Sequence, residues 1–220
     1  MSTEQPVEIA FEISSIFRKT TPGLNVDQAR AEVAAHAQAR GATPSEAQLD
    51  EMAAEYAKVS QLLAENGVRY SATCFGTFDD GDWSTGTVTI ALQPLTYQAP
   101  EIAVSGMTKI LAAHHGPTAE VSAIDLPCGQ ATLVLRQSPE LRIPAEFTAS
   151  GDDIPIDVAQ LQAFIPVPRS AVPGAQALVT VTFSTPSTDH WADYCEVLAP
   201  FLRSLRFAPE GVPAPRDLFG

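Results

Sequence analysis

Ser184, Asp189 and His190 lie within seven positions of one another in the stretch FSTPSTDHWADYCEVL, residues 183–198. They have the residue types of a nucleophile, an orienting acid and a general base. Their surroundings argue for a different role. An alternating strand, Ala177, Val179, Val181 and Phe183, runs into them, and Trp191, Tyr194, Leu198 and Leu202 follow at helical spacing, with Leu205 continuing the row. Thr185 or Ser187 suits the N-cap of that helix, Pro186 its first position, and Asp189 the positive end of its dipole. Pro200 should kink the helix or split it near Val197. A Ser-His-Asp site is assembled by the fold and not by closeness in sequence, and no G-x-S-x-G elbow occurs. The cluster therefore reads as the start of a helix.

The other chemistry-bearing groups weaken in the same way. His114 and His115 resemble a metal pair, but adjacent residues on a helix point in different directions, and no H-E-x-x-H or C-x-x-C partner is present. They stand just before Gly116-Pro117, where histidine suits the exposed carbonyls of a helix end. The acidic run Asp79-Asp80-Gly81-Asp82 lacks the alternating ligands and closing glutamate of a calcium loop, so it reads as a solvated hairpin turn. Val104-Ser105-Gly106-Met107-Thr108-Lys109 has no glycine run to cradle a phosphate. Cys128 sits in the turn Leu126-Pro127-Cys128-Gly129 with nothing nearby in sequence to lower its pKa. No metal, cofactor or acid-base pair is indicated, and the expectation is a protein that is not an enzyme.

Composition narrows the class. The chain has 220 residues, 45% of them hydrophobic, which suits a folded core. Lys and Arg total 13 against 26 Asp and Glu, so the net charge is −13. That charge repels nucleic-acid backbones and anionic lipid, and it suits solubility or a basic protein partner. No run of about 18 apolar residues is present to span a membrane. The opening residues have neither a basic nor an apolar leader region, so the expected location is the cytoplasm. Cys74, Cys128 and Cys195 are odd in number and widely spaced, and read as small buried hydrophobes and not as a disulfide framework.

The elements that would position these groups follow from periodicity. Val7, Ile9, Phe11 and Ile13 alternate as a half-buried strand. Asn25 with Gln28 forms a capping box, Val26, Ala29, Val33 and Ala37 share one helix face, and Gly41 ends it. Thr43-Pro44-Ser45-Glu46 reads as cap, first-turn proline and capping-box acid for a second helix, whose seam is Leu49, Met52, Tyr56, Val59 and Leu63. Residues 25–66 are thus predicted to be a helical hairpin, with the seam packed inside the molecule in preference to a dimer interface. Val68, Tyr70, Ala72 and Cys74, then Val88, Ile90 and Leu92, predict a β-hairpin across the acidic turn. Pro100 opens a helix with Ala103, Met107, Ile110 and Leu111 as its apolar face. Strands follow near Val121, near Leu133 and Leu135, and at Leu161, Ala163 and Ile165, with residues 139–155 read as a loop. The fold class is α+β, a mostly antiparallel sheet of about seven strands with a helical hairpin inserted after the first. Residues 1–207 form one domain, and 208–220 a proline-rich tail.

Three stretches in order, IDLPCGQATLVLR, LQAFIPVP and LVTVTFSTPS…HWADYCEVLAPFLRSLRF, resemble actinobacterial proteins of a PsbP-like (Mog-type) fold. ENGVRYSATCF resembles that group's strand after its helical insertion. The resemblance implies an antiparallel sheet sandwiched by helices and function through protein contact, since relatives of that fold bind a GTPase or dock on a photosystem. It implies no catalytic residues.

The leading expectation is a cytoplasmic, non-enzymatic adaptor or accessory protein, of secretion-accessory or immunity type, that binds another protein. Its contact residues would be Trp83 with Asp79, Asp80 and Asp82 beside it, and Leu218 and Phe219 in the tail segment Arg216-Asp217-Leu218-Phe219. The alternatives are a small-molecule binder or hydrolase using a cleft between helical hairpin and sheet, with Ser184, His190 and His114 as its residues, and a structural subunit that self-associates through the Leu49 to Leu63 stripe.

Overall fold

Residues 7–39, 41–78, 81–143, 145 and 151–211 are described by the computed structural model. Nine strands and four α-helices occur among them: β1 (Val7–Ala10), β2 (Phe17–Thr20), α1 (Val26–Ala39), α2 (Glu46–Glu65), β3 (Val68–Thr77), β4 (Trp83–Pro94), α3 (Pro100–His115), β5 (Ala119–Leu126), β6 (Gly129–Ile143), β7 (Ile154–Pro166), β8 (Ala177–Thr185), α4 (Trp191–Ser204) and β9 (Arg206–Pro209). Seven strands form one antiparallel sheet in the order β2-β3-β4-β8-β7-β6-β5, and β1 pairs with β9 in a separate two-stranded ribbon. The class is α+β, with the helical hairpin near the start of the chain.

Strand alternation gives the sheet two unlike faces. One carries Phe17, Ala72, Cys74, Val88, Ile90, Leu161, Ala163, Val181 and Phe183, all buried, and α4 lays Tyr194, Leu198, Phe201 and Leu202 on them. Burial of this many apolar side chains, each worth about 1.5–3 kcal/mol, is the main force holding the domain. The other face is more polar, with Val134 and Val158 buried on it at the β6–β7 side. Across it Arg18, Thr73, Thr87, Ser184, Gln160 and Arg136 stand opposite one another, strand to strand, in a single row. Helix α3 covers the β5–β7 side of that face, where Thr108 Oγ1 and Thr132 Oγ1 lie 3.0 Å apart.

The hairpin is tied down by polar bonds. Asn25 Oδ1 accepts from Gln28 N at 2.9 Å, and Asn25 N donates to Gln28 Oε1 at 3.0 Å, closing the expected capping box. The second box is two residues later than its sequence suggests: Ser45 is the N-cap and Gln48 its partner, not Thr43 and Glu46. Proline at 44 therefore precedes the cap. The α2 seam also shifts. Leu49, Ala53, Ala57 and Ser60 are buried, whereas Met52 and Val59 are 51% and 54% exposed. Small residues let α1 approach closely, so Met52 and Val59 are left on the outer side while Leu49 and Tyr56 of the expected seam still pack inward.

Ser60 is the knot of this region. Its hydroxyl accepts from Leu24 N at 2.7 Å and donates to Thr21 O at 2.7 Å, and its carbonyl accepts from Gly23 N at 2.8 Å. Replacing Ser60 with Ala leaves a buried N–H without its acceptor, so Ser60→Ala should cost about 1–3 kcal/mol in a urea titration. An unchanged midpoint would contradict the assigned role.

Several other expectations are corrected. The first strand stops at Ala10 and pairs with β9; Phe11 instead turns into the core, edge-on to Tyr70 and Phe201 at 4.8 and 5.5 Å. A short strand, β2, precedes the hairpin and was hidden by its charged residues Arg18 and Lys19. In α3, Val104 is buried and Ile110 is 69% exposed, because the helix meets the sheet through Val104 and Thr108. Residues 139–155 are not one loop: β6 continues to Ile143 and β7 begins at Ile154, with a register shift between Ser138 and Leu141. Helix α4 runs unbroken through Pro200, which lies on its exposed side. Ala208 and Pro209, placed in the tail by their composition, belong to β9.

Candidate functional site

The residues of the apparent triad have other partners. Ser184 Oγ accepts from Gln160 Nε2 at 3.0 Å, and Gln160 Oε1 takes two bonds from Arg136, at 2.8 and 2.6 Å. These three adjacent members of the polar row therefore hold one another. Asp189 and His190 sit beyond the strand in a 3-10 turn, Thr188–His190, and His190 packs its ring 5.1 Å from Phe78. Neither Thr185 nor Ser187 caps α4, whose N-cap is His190 without a side-chain bond. Instead Thr185 Oγ1 donates to Thr85 O at 2.6 Å, and Ser187 Oγ accepts from Thr85 N at 3.1 Å. They extend the pairing of β8 with β4 past its last backbone bond.

His114 and His115 close the last turn of α3, their rings 5.0 Å apart, and Gly116 at φ +58° ends the helix. Among the described residues no group of three or more His, Cys, Asp or Glu is placed to hold a metal ion. No described helix is long and apolar enough to cross a membrane. The Leu-Pro-x-Gly stretch is the two-residue turn between β5 and β6 that its sequence indicates. Burial pushes the Cys128 thiol there up to about 11. At pH 8 that thiol is almost wholly protonated, so iodoacetamide should modify Cys128 on the order of 100-fold more slowly than a free cysteine. Modification at the free rate would show that the turn opens.

The surface that remains is at the β3–β4 end of the sheet. Trp83 is 68% exposed and Phe75 59%, and their rings stack with centroids 5.0 Å apart and planes 27° from parallel. Both residues sit one position away from the buried Ser84 and Cys74, so alternation turns them onto the polar face, level with Thr85 and Thr77. Trp83 is among the contact residues expected from sequence, and Phe75 is not. The same alternation that turns Cys74 inward was the signal for it.

This platform is rigidly footed. Beneath it Ser84 Oγ lies 2.8 Å from Tyr194 Oη in the buried core, and Phe78 packs edge-on to Tyr194 at 5.1 Å. Burial, the largest cause, pushes the Tyr194 phenol up to about 12, so it stays a neutral partner for Ser84. Phe78 also brings the Thr188–His190 turn to this end of the sheet, and with it the exposed Asp189 and Asp193. Asp82 adjoins Trp83 and is exposed. Asp79, Asp80, Leu218 and Phe219, together with Arg216 and Asp217, lie outside the described residues.

No protein-family model matches the chain, and no curated protein matches it.

Proposed function

We propose that this protein is a non-enzymatic binding module that acts in the cytoplasm and docks a basic segment of another protein at the β3–β4 end of its sheet. The observation that carries the reading is the exposed Phe75–Trp83 stack. Two large aromatic rings left in water at the end of a firmly held strand pair are an unusual use of apolar surface, and rigid aromatic anchors dominate binding interfaces. The chemistry of the occupant follows from charge. Asp82 directly precedes Trp83, Asp189 and Asp193 are exposed at the same end of the sheet on its α4 side, the chain as a whole carries −13, and a guanidinium or ammonium can lie on an indole face. Arginine suits both demands, since it stacks on the rings and pairs with the carboxylates. The neighbouring row of Thr87, Ser184 and Gln160 offers hydroxyls and an amide to a partner backbone. The three free cysteines accord with a reducing compartment. An accessory or immunity role, holding a basic partner until it is exported or released, is the specific form of this proposal.

The test compares baits. Wild-type protein and the Trp83→Ala variant are used to capture partners from the same native lysate, with washes of rising salt. One near-stoichiometric basic protein should be captured on wild type, released by salt and missing from Trp83→Ala. Equal capture by both baits, or capture that salt does not weaken, would overturn it.

A further inference from the structure

The ribbon of β1 and β9 stands apart from the main sheet, and the space between them is a cleft of about 780 Å³. That size suits a small ligand. Its floor is apolar: Ile9 and Phe11 come from the ribbon side, Tyr70, Ile90 and Leu92 from β3 and β4. The Tyr70 phenol has no hydrogen-bond partner among the described residues. Burial alone pushes its pKa up, so the hydroxyl stays a neutral donor.

Charge is divided across this cleft. Glu8 lies on the ribbon and Glu210 directly follows it, while Arg69 stands on the sheet side, at the register shift between Val68 and Tyr70. Among the described residues Arg69 has no ion-pair partner. A purely anionic amphiphile would meet two carboxylates and the negative field of the whole chain, and a purely cationic one would face Arg69. An apolar molecule with one group of each sign satisfies both walls. Its carboxylate would take paired bonds from the Arg69 guanidinium, its ammonium would face Glu8 and Glu210, and its body would cover the apolar floor.

We infer that this cleft binds a zwitterionic apolar molecule, of which a short hydrophobic peptide with free ends is the simplest example. The site is separate from the Phe75–Trp83 platform and stands or falls independently of it.

The experiment is an NMR titration of the full ¹⁵N-labelled chain with trileucine, N-acetyl-trileucine, trileucine amide and decanoate. Saturable shifts at Arg69, Tyr70 and Leu92 with trileucine, about tenfold weaker for each blocked peptide and for Arg69→Ala, are expected, one charge-assisted contact being worth roughly that factor. Arg69 is exposed, so the variant should keep its fold, which its amide spectrum checks directly. Absence of saturable shifts, equal binding of the blocked peptides, or tighter binding of decanoate than of trileucine would overturn the inference.

Discussion

Gly86→Ala should unfold more readily than any surface variant of this protein. A Cβ built at Gly86 would lie 2.6 and 2.7 Å from the Phe183 ring carbons Cε2 and Cζ and 3.3 Å from Tyr194 Cζ. Those distances are far inside contact, and neither ring has room to move, since Phe183 and Tyr194 are both fully buried and pack on each other at 4.7 Å. The backbone at Gly86 is ordinary extended strand, so the effect is steric and not conformational. Overpacking of this kind costs about 1–3 kcal/mol, and the rigid neighbours place it at the upper end. For a chain of this size the melting temperature should fall by roughly 10 °C. A second variant separates this cause from general strand weakening. Phe183→Ala alone should cost about 3–5 kcal/mol by leaving a cavity. In the double variant the new methyl group would occupy space that the lost ring vacated, so the combined loss should be clearly less than the sum. Strict additivity would show that Gly86 serves some purpose other than making way for Phe183.

Trp83→Ala should have the opposite profile, with binding lost and stability kept. Removing a side chain that is 68% exposed should change unfolding by no more than about 0.5 kcal/mol. An aromatic anchor at the centre of an interface is worth about 2 kcal/mol or more, so affinity for the partner should fall at least thirtyfold, by about the factor those energies imply. Phe75→Ala should fall less, because it supports the indole more than it presents a face of its own. Asp82→Asn should slow association and reduce its salt dependence with a smaller loss of affinity, as expected of a charge at the rim. A Trp83→Ala variant that is destabilised as strongly as Gly86→Ala would mean that the ring is a structural brace and not a contact.

The parts of this architecture that sequence made legible are those governed by local rules. Asn25 and Gln28 announce a capping box and form it; Pro127 and Cys128 announce a tight turn between two alternating runs and form it. The parts it concealed depend on a partner distant in sequence. The Leu49-Met52-Tyr56-Val59-Leu63 seam is the more apolar face of α2, yet the helix turns Ala53, Ala57 and Ser60 inward because α1 and the Thr21–Leu24 segment need close approach and a buried hydroxyl there. Thr185 and Ser187 have the chemistry of helix caps, but β4 takes both hydroxyls first. Glycine in a strand hints at close approach, although nothing local reveals that the approaching group at Gly86 is Phe183, ninety-seven positions later. For the candidate site, Trp83 was visible as an aromatic residue beside an acidic turn. Its stacking on Phe75 required the register of β3 with β4, and the presence of Asp189 and Asp193 at that end of the sheet required Phe78 to seat the Thr188–His190 turn.

The most direct test of the central claim follows the two indole N–H signals, Trp83 and Trp191, in a ¹⁵N spectrum while an arginine-rich peptide is added. The Trp83 signal should move saturably, together with the amides of Phe75 and Thr85, and the movement should fade at high salt and vanish in Asp82→Asn/Asp189→Asn/Asp193→Asn. A Trp83 signal that stays fixed while the peptide binds elsewhere, or a peptide that does not bind at all, would contradict it.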